Sequence, residues 1–295
     1  MNLRLLPVFI VLCCGTLSVH AEDTPRSAMR KGLKAYKAGD YTNAVELLEK
    51  TALEFPDIGN YNLGNAYYRL GDYEKAEEHF NEALRSTDLQ LQARAYFNRG
   101  NSMLAQSTTL TGNEQVGMAI ELAFQAMDMY EKAILLDPED LAAKQNFERA
   151  QTLRLKLEFD LGQRYYDDAE SLLSQFKAKD AQANYLKARK QFEHILADVD
   201  PNDAESKQYL PKISERLDML DRAVETAEQD LKTALQQIEE YQYALAAERL
   251  TAESDERKYA FDLKPDLKKR YDETIQKNQQ VLQIIKDLSD LNIVK

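Results

Sequence analysis

The chain has 295 residues, with 38 lysines and arginines against 50 aspartates and glutamates and a formal net charge of −12 at neutral pH. That acid surplus excludes general adhesion to nucleic acid or to an anionic lipid surface, because both repel it. The two cysteines, Cys13 and Cys14, fall together in an apolar amino terminus, so nothing after them can form a disulfide, a thiol nucleophile or a thiolate metal site.

The amino terminus has one basic residue, Arg4, then a short apolar run, then Val19-His20-Ala21 ahead of Glu22-Asp23. This is the pattern of an export signal over residues 1–21, cleaved after Ala21. An uncleaved anchor is the second reading, although the apolar run is short against the roughly 20 residues a bilayer span needs.

Two segments further on are near copies. Tyr61-Asn-Leu-Gly-Asn-Ala-Tyr-Tyr and Tyr96-Phe-Asn-Arg-Gly-Asn-Ser-Met place Gly64 and Gly100 thirty-six residues apart. The residues after Gly64 are Gly71-Asp72-Tyr73, Ala76, Phe80 and Ala83. The preceding segment has Gly32, Gly39-Asp40-Tyr41, Ala44, Leu48 and Pro56, and the following one has Ala126, Tyr130, Ala133 and Pro138. Gly32, Gly64 and Gly100 fit a first helix approached closely by its neighbour, and Gly39 and Gly71 fit a left-handed residue just past a helix end. Alanines keep the second helix close, and Pro56 and Pro138 stop it from continuing. This spacing resembles the tetratricopeptide (TPR) repeat, a helix-turn-helix unit of about thirty-four residues. Residues 25–157 are then expected to form three repeats and a capping helix, Glu139 to Leu157. An insertion falls near 106–118: Gln106 to Glu114 reads as a polar loop, and Met118, Leu122 and Met129 read as a lengthened second helix.

Beyond Gly162 there is no glycine, and the repeat punctuation stops. A degenerate repeat persists at Tyr185, Ala188, Phe192 and Ile195, closed by Asp200-Pro201. From Ile213 through Leu217, Leu220, Val224, Ala227, Leu231, Ala234, Ile238 and Tyr241 to Leu245, apolar residues alternate by four and three, a heptad pattern that needs a partner helix. The segment Asp266 to Leu291 supplies one within the chain; a homodimer through 213–245 is the other reading. The expected fold is all-α, a TPR solenoid followed by a long-helix, TPR-like or coiled-coil region over 158–295.

In such arrays the first helices line a concave face. Helical spacing puts Met29, Leu33, Tyr36 and Lys37 there from the first repeat, Tyr61, Asn65, Tyr68 and Arg69 from the second, and Arg94, Phe97 and Asn101 from the third. Asn65 and Asn101 offer donors and an acceptor to the backbone of an extended peptide. Arg69 and Arg94 suit an acidic side chain or a terminal carboxylate. Asn62 and Asn98 read as satisfying backbone carbonyls between repeats. A carboxylate clamp of the chaperone-binding type wants cations where this chain has Met29, Leu33 and Asn98. Nothing points to catalysis, a cofactor or a metal: His79 and His194 stand far apart without ligand spacing, and no phosphate-binding loop or nucleophile motif occurs.

Three stretches narrow the resemblance: Tyr61 to Ala76, Ala95-Tyr-Phe-Asn-Arg-Gly-Asn, and Tyr130-Glu-Lys-Ala-Ile-Leu-Leu-Asp-Pro-Glu-Asp-Leu-Ala-Ala-Lys-Gln-Asn. Together they resemble the exported TPR proteins of bacterial aerotolerance (Bat-type) operons, over residues 57 to about 150. The resemblance implies a non-enzymatic periplasmic adaptor that docks on a membrane protein carrying a von Willebrand factor A (VWA) domain. An envelope-assembly or secretion adaptor without such a partner is the alternative, and an envelope hydrolase a remote one.

Overall fold

The structure is a computed structural model and describes residues 24–110, 112 and 115–290. The expected export signal lies outside the described residues. The helices are α1 (Pro25–Lys37), α2 (Tyr41–Ala52), α3 (Pro56–Leu70), α4 (Tyr73–Ala83), α5 (Leu89–Thr109), α6 (Val116–Leu136), α7 (Leu141–Ser174), α8 (Ala178–His194), α9 (Ala204–Glu239), α10 (Tyr243–Thr251), α11 (Asp255–Leu263) and α12 (Pro265–Asp290). A single π turn, Ile195–Val199, extends α8. No strand occurs among the described residues. The fold is all-α and TPR-like. Two compact units divide it, one running to Ser102 and including Lys132–Asp140, the other formed by Met103–Glu131 with Leu141 onward.

In the first unit, α1 packs on α2 and α3 on α4 for the reasons the glycines suggest. A Cβ on Gly32 would come within 2.8 Å of Leu48 Cγ, and one on Gly64 within 2.7 Å of the Phe80 ring. Both partners are fully buried. Each hairpin turns through a left-handed glycine, Gly39 at φ +82° and Gly71 at φ +81°. The next N–H reaches back to close the helix, Asp40 to the Ala35 carbonyl and Asp72 to the Tyr67 carbonyl. That is the Schellman closure. The same aspartates cap the following helix by accepting from the N–H groups of Asn43 and Lys75.

The insertion in the third repeat differs from expectation. Residues 106–109 are helical, and both α5 and α6 are lengthened to 21 residues, joined by 110–115. The polar run can stay helical because its hydroxyls are spent on carbonyls. Ser107, buried, donates to Ala119 O at 2.7 Å, while Thr108 and Thr109 donate to Ala105 O and Gln106 O. Such back-bonding satisfies a hydroxyl without breaking the helix. After Pro138, α7 runs for 34 residues, well past the stretch ending at Leu157.

The second unit holds two further hairpins built to the same plan without the glycines. Phe176 at φ 60° and Tyr241 at φ 64° occupy the turn position. The closures recur, with Lys177 N–H on Leu172 O and Gln242 N–H on Gln237 O. Seven residues before each turn stands a buried alanine, Ala169 or Ala234, in the place of Gly32 and Gly64. Five residues after come Ala181 and Ala246, and nine after come Tyr185 and Leu250, all buried like Ala44 and Leu48. Thus α7–α8 and α9–α10 are repeat hairpins in which an aromatic residue carries the left-handed turn.

An L-residue in that conformation costs roughly 1–2 kcal/mol. Phe176 is compensated from α11: its ring lies 5.8 Å from the Tyr259 ring and 4.4 Å from Lys258 Nζ, and Asp262 accepts from Lys179 N–H at 2.8 Å, capping α8 in place of the missing aspartate. Tyr241 is 81% exposed. Tyr241→Gly is therefore expected to stabilise the α9–α10 hairpin by about 0.5–1 kcal/mol after the entropic cost of glycine, whereas Phe176→Gly destabilises. Native-state hydrogen exchange of the α10 amides checks this; faster exchange in Tyr241→Gly would contradict it.

The heptad reading of residues 213–245 needs correction. The helix ends at Glu239, and Tyr241 and Leu245 are exposed rather than on a buried stripe. The face from Ile213 to Ala234 is buried by α8, α10, α11 and α12 together, not by 266–291 alone. Covered within the chain, it is not free to pair with a second copy.

Candidate functional site

Helix α3 presents Tyr61, Asn65 and Tyr68 at spacings of four and three, and α5 presents Arg94, Phe97, Asn98 and Asn101. The structure links three of the expected residues through one that was assigned elsewhere. Asn98 Nδ2 donates to Asn65 Oδ1 at 2.9 Å and to the Tyr61 hydroxyl at 3.2 Å, and Asn98 Oδ1 accepts from Asn101 Nδ2 at 3.3 Å. Asn98 thus bonds side chains of α3 rather than backbone carbonyls. Its spacing of three from Asn101 was the available signal for a shared face.

The network ties α3 to α5. Asn98 spends both N–H donors on α3, and the Asn65 oxygen receives one of them. The face thus gathers amide and hydroxyl groups that serve as donors or acceptors, which suits the backbone of an extended peptide. Tyr61 is held from behind by Phe80, with ring centroids 6.0 Å apart. Phe97 lies half-buried on α5.

The remaining expected residues sit apart from this group. Arg69 stacks over the Tyr41 ring at 5.1 Å, and Tyr68 packs on Tyr73 with centroids 5.6 Å apart, both at the turn end of their hairpins. Burial pushes the Tyr68 phenol above its ordinary pKa, the neighbouring Tyr73 adds to this, and Arg69 opposes it. Tyr36, also raised by burial, adjoins Tyr41 in the same aromatic group. Arg94 donates from Nε to Gln90 O at 3.2 Å and lines a hollow of about 600 Å³ that also contains Glu54, Asp57 and Asp88. Three carboxylates beside Arg94 make that hollow a poor receiver for an acidic group.

Stacked helical hairpins with a small residue at each close approach and a left-handed turn define a helical-repeat protein. Residues 29–90 and 61–108 match the family described as Tetratricopeptide repeat, so the chain carries TPR repeats there. No curated protein matches it. Among solved structures, the first TPR domain of human RPAP3 is 22% identical with a TM-score of 0.37, over 45% of this chain and 94% of that one. A thermophilic TPR protein of Thermus thermophilus is 20% identical with a TM-score of 0.37, over 64% and 98%. The TPR2AB domain of yeast Sti1, in a complex with pHSP90, is 17% identical with a TM-score of 0.38, over 86% and 98%. Scores this low carry no site from those proteins to this one.

Proposed function

We propose that the chain is a non-enzymatic scaffold that holds a segment of a partner protein on the face shared by α3 and α5. The observation that carries this reading is the Tyr61–Asn98–Asn65 network, which joins α3 and α5 into one polar face. A preset polar face beside half-buried aromatics holds a peptide backbone at low ordering cost. TPR repeats generally mediate protein–protein interaction, which supports the scaffold role.

The partner we propose is a VWA-domain membrane protein of a Bat-type system, met in the periplasm after export. Support comes from the signal-like sequence of residues 1–21 and from the motifs between Tyr61 and Asn146 that resemble those of Bat-type proteins. Among the described residues no helix is long and apolar enough to cross a membrane.

In-cell crosslinking, purification and mass spectrometry test the proposal on the full chain and on Asn65→Ala/Asn101→Ala, with folding checked by circular dichroism. Recovery of a VWA protein with wild type, reduced at least tenfold with the variant, is the expected result. Equal recovery by both would move the binding face off α3 and α5. Recovery of envelope-assembly machinery alone would remove the VWA partner.

A further inference from the structure

Helix α1 holds five of the chain's 38 cations, Arg26, Arg30, Lys31, Lys34 and Lys37, and none of its 50 acids. The rest of the chain therefore has 33 cations against the same 50 acids, a net of −17. Arg26, Arg30, Lys34 and Lys37 are exposed, and among the described residues none of the four has an ion-pair partner. With Met29 and Leu33 they line one shallow hollow of about 470 Å³.

Helix stability does not account for this charge. Cations in the last turn, Lys34 and Lys37, complement the negative end of the helix dipole, but Arg26 lies in the first turn, where a cation is unfavourable and where α1 has no acid. Arg26 is thus held against a local cost. Arg26 and Lys37 lie eleven residues apart, or about 16 Å along the helix at 1.5 Å per residue.

We infer that α1 is a docking face for an acidic segment of a partner protein, one that carries apolar residues to cover Met29 and Leu33. Charge complementarity selects the anion, and the acidity of the remaining molecule selects its size. A nucleic acid or an anionic bilayer extends across the whole body and meets a surface of net −17; a short segment meets α1 alone. None of the residues lining the α1 hollow belongs to the Asn65 network.

The test is fluorescence anisotropy with the full chain and a fluorescein-labelled peptide of repeated Glu-Glu-Leu. Binding should weaken as sodium chloride is raised, because exposed charges are screened. Arg30→Glu/Lys34→Glu, two exposed substitutions, should weaken it at least tenfold, with Arg30→Gln/Lys34→Gln intermediate and the charge-matched control Lys268→Glu/Lys269→Glu, exposed on α12, close to wild type. Equal binding by wild type and the charge-reversed variant overturns the inference. So does stronger association with phosphatidylglycerol vesicles than with the peptide, lost in the same variant, which would make α1 a membrane contact.

Discussion

Glu158→Ala is expected to destabilise the second unit by about 3 kcal/mol, the low end of what removing one member of a buried ion pair costs. Glu158, on α7, is 1% exposed. Its Oε1 accepts from Arg154 Nε at 2.7 Å, and its Oε2 accepts from Gln191 Nε2 at 3.2 Å and lies 3.3 Å from His194 Nε2. Arg154, only 12% exposed, also lies over the Phe124 ring at 4.8 Å. Alanine leaves that guanidinium largely buried without its anion, and the Gln191 amide without an acceptor. Hydrogen exchange of the α7 and α8 amides should speed up on the order of a hundredfold. Arg154→Met/Glu158→Leu should recover most of the loss, because an apolar pair of similar volume replaces charges that were costly to bury. An increase of less than fivefold in the single variant would show that Arg154 does not need Glu158 to compensate its charge.

Phe192→Ala should cost about 3–5 kcal/mol, the usual range for emptying an aromatic core position. Phe192 is fully buried at the centre of an aromatic group, stacked on Tyr209 at 4.7 Å and tilted against Phe159 at 5.6 Å. Its ring also fills the space left by Gly162, where an added Cβ would come within 2.9 Å of it. The two positions are therefore coupled. Gly162→Ala alone should destabilise by overpacking, and the penalty should shrink in a Phe192→Leu background. Urea denaturation of the four proteins measures the cycle; additive effects would mean that the helices α7 and α8 can move apart freely.

The first two hairpins are legible in residues 25–83 because their constraints are local. A glycine marks each close approach, another marks each turn, and the next aspartate caps the following helix. The fourth and fifth hairpins obey the same constraints by other means. Phe176 replaces a turn glycine only because Tyr259 and Lys258 receive its ring, and α8 is capped by Asp262, eighty-three residues from the N–H it accepts from. No local pattern can announce a partner at that distance. The heptad spacing from Ile213 correctly marks a buried face, yet spacing records only that a face is covered and not by which helix. At the candidate site, Tyr61 and Asn65 share a face of α3 by spacing, as Phe97 and Asn101 share one of α5. That Asn98 joins them depends on how closely α3 and α5 approach, which spacing within either helix does not state.

The two kinds of turn differ in how far each hairpin can be treated as an interchangeable part. Nothing lies within 4 Å of the Cβ position at Gly39 or Gly71, so those turns ask nothing of the rest of the molecule. Hairpins α1–α2 and α3–α4 could be duplicated, deleted or transplanted with their turns intact. The α7–α8 hairpin could not, because its turn and its cap both borrow from α11. Helices α7 to α11 must therefore be engineered as one block, whereas repeats can be added or removed more freely at the two glycine-turned hairpins.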